Sequence, residues 1–80
     1  MKARVTIELK PGVLDPQGKA IHHALEVLGF SGVKDARVGK LVTLELDEDD
    51  PERARSQVED MAKKLLANTV IENYRIEIAD

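Results

Sequence analysis

Residues 1–80 make a single domain, and a chain of this size buries only about 60% of its unfolded surface, so with Phe30 and Tyr74 as its sole aromatics its core is thin and aliphatic. Twelve Lys and Arg against fifteen Asp and Glu give a formal charge of -3 without a basic run, which argues against a nucleic-acid partner, since that class asks for clustered cations and commonly for stacking aromatics. The absence of cysteine removes disulfide and thiolate chemistry, and Met1-Lys2 leads straight into alternating residues rather than an apolar leader, so the expectation is a soluble cytoplasmic protein with no membrane partner whose core is supplemented by another chain.

From Lys2 to Lys10 the residues alternate. Ala3, Val5, Ile7 and Leu9 face one way and Lys2, Arg4, Thr6, Glu8 and Lys10 the other, the pattern of a strand with one wet face. Lys10-Pro11-Gly12-Val13-Leu14-Asp15-Pro16-Gln17-Gly18-Lys19 then forms the turn around which the chain is organised. Pro11-Gly12 ends the strand, while Asp15 followed by Pro16 reads as an N-cap and first helical position. The helix is expected over 16–28, with Ala20, Ile21, Ala24, Leu25 and Leu28 at helical spacing and Lys19, His22, His23 and Glu26 toward solvent. Gly29 suits C′ of a Schellman ending, with Phe30 folding back on Leu25.

The segment Val33 to Leu46 decides the topology. A two-residue hairpin at Gly39-Lys40 would send Val42, Leu44 and Leu46 to the face opposite Ala36 and Val38. One continuous strand keeps Ala36, Val38, Val42, Leu44 and Leu46 on one face, with Lys40 the exception. Such a strand would run roughly 46 Å at about 3.3 Å per residue, too long for one small core. The reading is therefore a long middle strand bent at Gly39, its halves serving two sub-cores.

Asp47-Glu48-Asp49-Asp50 precedes Pro51 and reads as a solvated helix cap, because a calcium loop's glycine and ligand spacing are absent. In the second helix Ala54, Val58, Met61, Ala62, Leu65 and Leu66 are expected inward, with Glu59–Lys63 and Asp60–Lys64 pairs outside. The helix is expected to stop near Asn68. A closing strand comes next, with Tyr74, Ile76 and Ile78 alternating with Asn73, Arg75 and Glu77. The fold class is α+β, ordered β-α-β-α-β. Each half is expected to be a right-handed βαβ unit, with ferredoxin-like subdomains completed in an intertwined dimer.

No complete active site emerges. The turn occupies the place of a phosphate loop, but five residues separate Gly12 from Gly18, Ala20 stands where magnesium needs Ser or Thr, and Asp15 is negative where phosphate would sit. His22 and His23 point about 100° apart on a helix and cannot chelate one metal alone. Ser31 and Ser56 have no evident histidine and acid around them. No catalytic, cofactor or metal residue is therefore expected in this chain. Lys10, Pro11, Gly12, Asp15, Gln17, Gly18 and Lys19 are the candidate partner interface, because a stiff turn loses less entropy on binding. A ligand-sensing ferredoxin-like domain and a small enzyme in its own right are the rival classes.

Lys10 to Ala20 closely resembles the signature of the PurS family, as does Leu65-Leu66-Ala67-Asn68 with Val70-Ile71-Glu72-Asn73-Tyr74. The similarity takes in Leu28-Gly29-Phe30 and Arg37-Val38-Gly39-Lys40 as well, while Thr69 stands where many members have proline and Asn73 where many have aspartate. The resemblance implies the small subunit of phosphoribosylformylglycinamidine synthase in purine biosynthesis. That complex converts formylglycinamide ribonucleotide with ATP and glutamine. A glutaminase subunit releases ammonia, and a large synthetase subunit, which would hold ATP and Mg, performs the ligation. The resemblance further implies a chain without catalytic residues that bridges those two partners and helps ammonia pass, itself an intertwined homodimer or a dimer of dimers.

Overall fold

A computed structural model describes residues 1–79. Three strands, β1 (Lys2–Leu9), β2 (Lys40–Glu45) and β3 (Glu72–Ala79), form one antiparallel sheet in the order β2-β1-β3. Two helices, α1 (Pro16–Val27) and α2 (Pro51–Met61), lie between them in sequence, and a π-helical turn, Ala62–Leu66, extends α2.

The alternation of β1 sets the sheet's two faces. Val5 lies opposite Val42 on one side and Ile76 on the other, and Ala3 lies opposite Leu44 and Ile78. These positions, with Ile7 and Tyr74, make one apolar face, and α2 covers it with Val58, assisted by Ala62 of the π-helical turn. Ala3, Val5, Ile7, Val58 and Ala62 are almost entirely removed from water. The other face carries Arg4, Glu8, Thr43, Arg75 and Glu77 and is exposed.

Both outer strands run antiparallel to β1 and hence parallel to each other, so β2-α2-β3 is a split βαβ unit with β1 in the gap. The first half departs from the expected βαβ arrangement, because β1 and β2 are antiparallel neighbours. The cause is the point of entry: Lys40 arrives opposite Ile7, near the far end of β1, so β2 must run back along it. Paired strand is confined to Lys40–Glu45, and residues 33–39 lie outside it, with Ala36, Arg37 and Val38 beside the 10–19 turn. Gly39 thus stands at the entrance to β2 instead of bending a paired strand. A side chain there would press on the Ile7 carbonyl, 2.8 Å from the position a Cβ would take.

Two expectations about burial are corrected. In α1 only Gly18 is buried; Ile21 is 42% exposed and Leu28 71%, because the helix has no sheet beneath it. The chain is accordingly elongated, 49 × 26 × 14 Å. In α2, Ala54 and Val58 point inward as predicted, but Met61 is partly exposed and Leu65 is 83% exposed. The π-helical turn accounts for Leu65: the Ala67 N–H reaches back five residues to the Ala62 carbonyl at 2.9 Å, and the extra residue rotates the succeeding side chains by about 100°. Glu59 and Lys63 pair at 3.8 Å, whereas among the described residues Asp60 and Lys64 form no ion pair.

Candidate functional site

The 10–19 turn is built by its own polar groups. The Val13 N–H donates to the Lys10 carbonyl at 3.1 Å, and the Lys10 N–H donates to the Ile71 carbonyl at 2.8 Å, which fixes the turn against the loop before β3. Gly12 takes φ +88°, as the end of the strand requires. Asp15 then caps α1, its Oδ1 accepting from the Gly18 N–H at 2.8 Å, while Pro16 fills the first helical position.

The same carboxylate does a second job. Its Oδ2 accepts from the Val38 N–H at 2.7 Å, so one side chain, only 5% exposed, fastens the lead-in to β2 onto the start of α1. The Val38 and Gly18 N–H groups, with the Arg37 guanidinium nearby, hold its pKa below the ordinary 3.8, and desolvation opposes them without prevailing. Gly18 is required here because a Cβ would collide with the Ala36 carbonyl. The Arg37 Nη2 closes the outside of the clasp on the Lys10 carbonyl at 3.2 Å.

The far end of α1 is finished as locally as its start. Gly29 adopts φ +98°, its N–H reaches the Glu26 carbonyl at 3.0 Å, and the Phe30 N–H reaches the Leu25 carbonyl at 2.9 Å. This is the Schellman pattern the sequence predicts, although Phe30 itself stays 58% exposed.

The predicted interface residues therefore divide. Asp15 and Gly18 are internal and shape the turn; Pro11, Gly12, Gln17 and Lys19 are exposed; Lys10 is half-buried. Ala36, Arg37 and Val38 belong to the same assembly, and nothing in their local sequence marks them as its partners. Beside it, a groove of about 960 Å³ runs between Pro11, Arg37 and Lys40 and the sheet's polar face at Glu8 and Arg75. Its walls mix both charge signs and favour no one class of ion.

The other candidates resolve into structural roles. His22 Nε2 lies 2.7 Å from the Val33 carbonyl and 3.1 Å from Glu26 Oε1, tying α1 to the segment beyond it. Asp50 Oδ1 accepts from the Glu52 N–H at 3.0 Å as the cap of α2, and Arg53 lies 3.4 Å from both Glu48 and Asp50. Among the described residues no three His, Cys, Asp or Glu are grouped to hold a metal, and no helix is long and apolar enough to cross a membrane. The last turn relies on Asn68 rather than on a proline at position 69. Asn68 Oδ1 accepts from Val70 N–H at 3.1 Å, its carbonyl from Glu72 N–H at 2.7 Å, and its N–H donates to Glu72 Oε1 at 2.7 Å.

Fold and surface together define a small α+β subunit in which a half-covered sheet and a bare helix are joined by a rigid clasp. Comparison with known proteins makes that class specific. Residues 2–80 match the family model described as PurS, phosphoribosylformylglycinamidine (FGAM) synthase. The chain is 44% identical over 77 residues to the phosphoribosylformylglycinamidine synthase subunit PurS of Methanocaldococcus jannaschii, covering 96% of this chain and 93% of that protein. A crystal structure of Bacillus subtilis PurS superposes with a TM-score of 0.88 at 44% identity, over 99% of this chain and 98% of that one. A chain in the structure of PurLQS from Thermotoga maritima gives a TM-score of 0.86 at 30% identity, over 95% and 93% respectively. The chain belongs to the PurS family.

Proposed function

We propose that this protein is the non-catalytic small subunit of a cytoplasmic phosphoribosylformylglycinamidine synthase. In this reading it bridges the glutaminase and the large synthetase subunit, which holds ATP and Mg, and it assists ammonia transfer between them in purine biosynthesis. The observation that carries the reading is the match to PurS over residues 2–80, supported by a relative of the same fold within PurLQS. The chain's surface argues in the same direction. Its accessible area is 5866 Å², against about 4,800 Å² for a folded monomer of this mass. Its radius of gyration is 16.0 Å, against about 11.6 Å for a compact chain of this length.

An excess of about 1,000 Å² is of the order a protomer covers in a standard interface, and Ile21, Val27, Leu28 and Phe30, in α1 and just after it, are among the exposed apolar side chains. We assign that cover to a second copy of this chain, with residues 33–39 and the α1 face exchanged between protomers, and allow two such dimers to pair. The reading is tested by adding the protein to the glutaminase and large subunits supplied with ATP, glutamine and formylglycinamide ribonucleotide. Glutamine-dependent turnover should appear only on addition, with all three subunits co-eluting, while ammonia-dependent turnover by the large subunit is unchanged. A glutamine-dependent rate that ignores the added protein overturns the bridging role. A monomer in equilibrium sedimentation at micromolar concentration overturns the dimer.

A further inference from the structure

β2 has two edges, and only one of them is used. Leu46 and Met1 exchange both backbone bonds, the Leu46 N–H donating to the Met1 carbonyl at 2.8 Å and the Met1 nitrogen to the Leu46 carbonyl at 3.3 Å. Bonded and non-bonded pairs alternate along an antiparallel ladder. In the register Ala3–Leu44, Val5–Val42 and Ile7–Lys40, the even-numbered residues of β2 therefore turn their N–H and C=O groups toward β1. Leu41, Thr43 and Glu45 turn theirs the other way, where no third strand lies, because β2 is outermost in the sheet.

The next bonded pair of that ladder would be Leu9 with Val38, but the pairing ends at Ile7–Lys40. Asp15 supplies what β1 withholds: its Oδ2 takes the Val38 N–H at 2.7 Å, and the Ala36 carbonyl packs on Gly18 of the same turn. In an extended chain a C=O and the N–H two residues on point to one side, and the residue between them points to the other. Residues 36–38 thus keep the phase of β2, and Arg37 presents its N–H and C=O on the same side as Leu41, Thr43 and Glu45. Among the described residues no hydrogen bond engages the Arg37 backbone; its side chain binds the Lys10 carbonyl. The clasp extends one bare edge from Glu45 back to Arg37.

Such an edge is a template for another strand, and its side chains say which. Paired antiparallel with its own copy about Leu41, it sets Arg37 opposite the partner's Glu45, Gly39 opposite the partner's Thr43 and, on the other face, Val38 opposite the partner's Leu44. Opposite charges directly across a ladder attract, and like charges repel. Centring the pair on Lys40 instead would set that lysine against itself and Asp35 against the partner's Glu45. Leu41, 59% exposed in this chain, becomes the middle of the contact.

We propose that Asp15 is a positioning residue for self-association: its carboxylate stands in for β1 beside Val38 and holds 36–38 in phase with β2, so that the edge from Arg37 to Glu45 receives the same edge of a second copy. The proposal rests on the dimer reading above. The full chain is compared with Asp15→Ser, Thr43→Pro and Asp50→Ala by sedimentation over a range of concentrations, with circular dichroism and amide exchange alongside. A serine hydroxyl still caps α1, but its one short oxygen cannot also reach Val38. Asp15→Ser should therefore keep the helix signal, lose protection at Val38 and dimerise about tenfold more weakly, the order contributed by one charge-assisted hydrogen bond. Proline at position 43 removes only an outward N–H, which an edge strand tolerates, so Thr43→Pro should fold and sediment as a monomer where wild type is a dimer. Asp50→Ala loses a cap but leaves the clasp whole, and should dimerise like wild type.

Undiminished dimerisation of Asp15→Ser, or equal weakening by Asp50→Ala, overturns the positioning role. A Thr43→Pro dimer as tight as wild type overturns the edge as the contact. Wild type that sediments as a monomer takes down the dimer reading itself.

Discussion

α1 and α2 are twelve and eleven residues long and both open on Asp-Pro, yet only one has a core beneath it. α2 lays Ala54 and Val58 against the sheet and is held by burial. α1 buries nothing but Gly18, and a helix of that length is marginal on its own in water. It is held instead at its two ends, by the Asp15 cap and clasp and by the Schellman ending at Gly29, with His22 on Val33 between them. The difference teaches that local polar chemistry can hold a helix that no core covers, whereas only packing makes a helix part of this chain's own core.

The largest blow to this contrast should come from the packed side. Ile7 is 1% exposed in the middle of the core strand, and Ile7→Ala should cost about 2–5 kcal/mol. In urea denaturation that loss should melt β1 and α2 in one transition. A smaller effect, about 1–3 kcal/mol by overpacking, is expected of Gly18→Ala, whose Cβ meets the Ala36 carbonyl. Hydrogen exchange should then rise in α1 and over residues 36–38 while the β1 amides stay protected; a loss spread evenly over the sheet would erase the distinction between the two helices.

The smallest effect is electrostatic and sharpens the comparison rather than breaking it. The Asp15 pKa is lowered on folding, so its contribution is complete above the ordinary 3.8 and is lost as pH falls through the folded value. Denaturation midpoints of wild type and Asp15→Asn should therefore differ at neutral pH and converge below about pH 4. A gap that persists undiminished in stronger acid would show that the clasp does not depend on the carboxylate charge.

How much of this is legible in the sequence depends on the range of the interaction. Asp15-Pro16, Asp50-Pro51 and Gly29 announce their caps because each partner lies within a few residues. The period-two pattern of β1 announces its buried face, and the register of Val42 and Leu44 opposite Val5 and Ala3 comes from keeping one apolar stripe. Illegible are the features set by distant backbone. Nothing in the local text says that the Val38 N–H is taken by Asp15 rather than by a neighbouring strand, or that β2 is delivered to the far end of β1. Leu65 defies its pattern because a period of 3.6 does not hold through a π-helical turn. Of the candidate interface, the stiffness of the 10–19 turn can be read in advance, but not that Asp15 and Gly18 are consumed inside it.

The strand order also governs how this protein folds. β1 is central, yet neither neighbour reaches it through a hairpin: Ile7 pairs with Lys40 across α1, and Lys2 pairs with Ala79 across almost the whole described chain. Contacts so distant in sequence form slowly, because chain closure must precede any pairing. The helices, capped by near neighbours, can take shape early, while the first strand waits with both edges open. The kinetic hazard of this fold lies there: until β3 arrives, the strand that the folded molecule buries most deeply is a template for any other strand it meets.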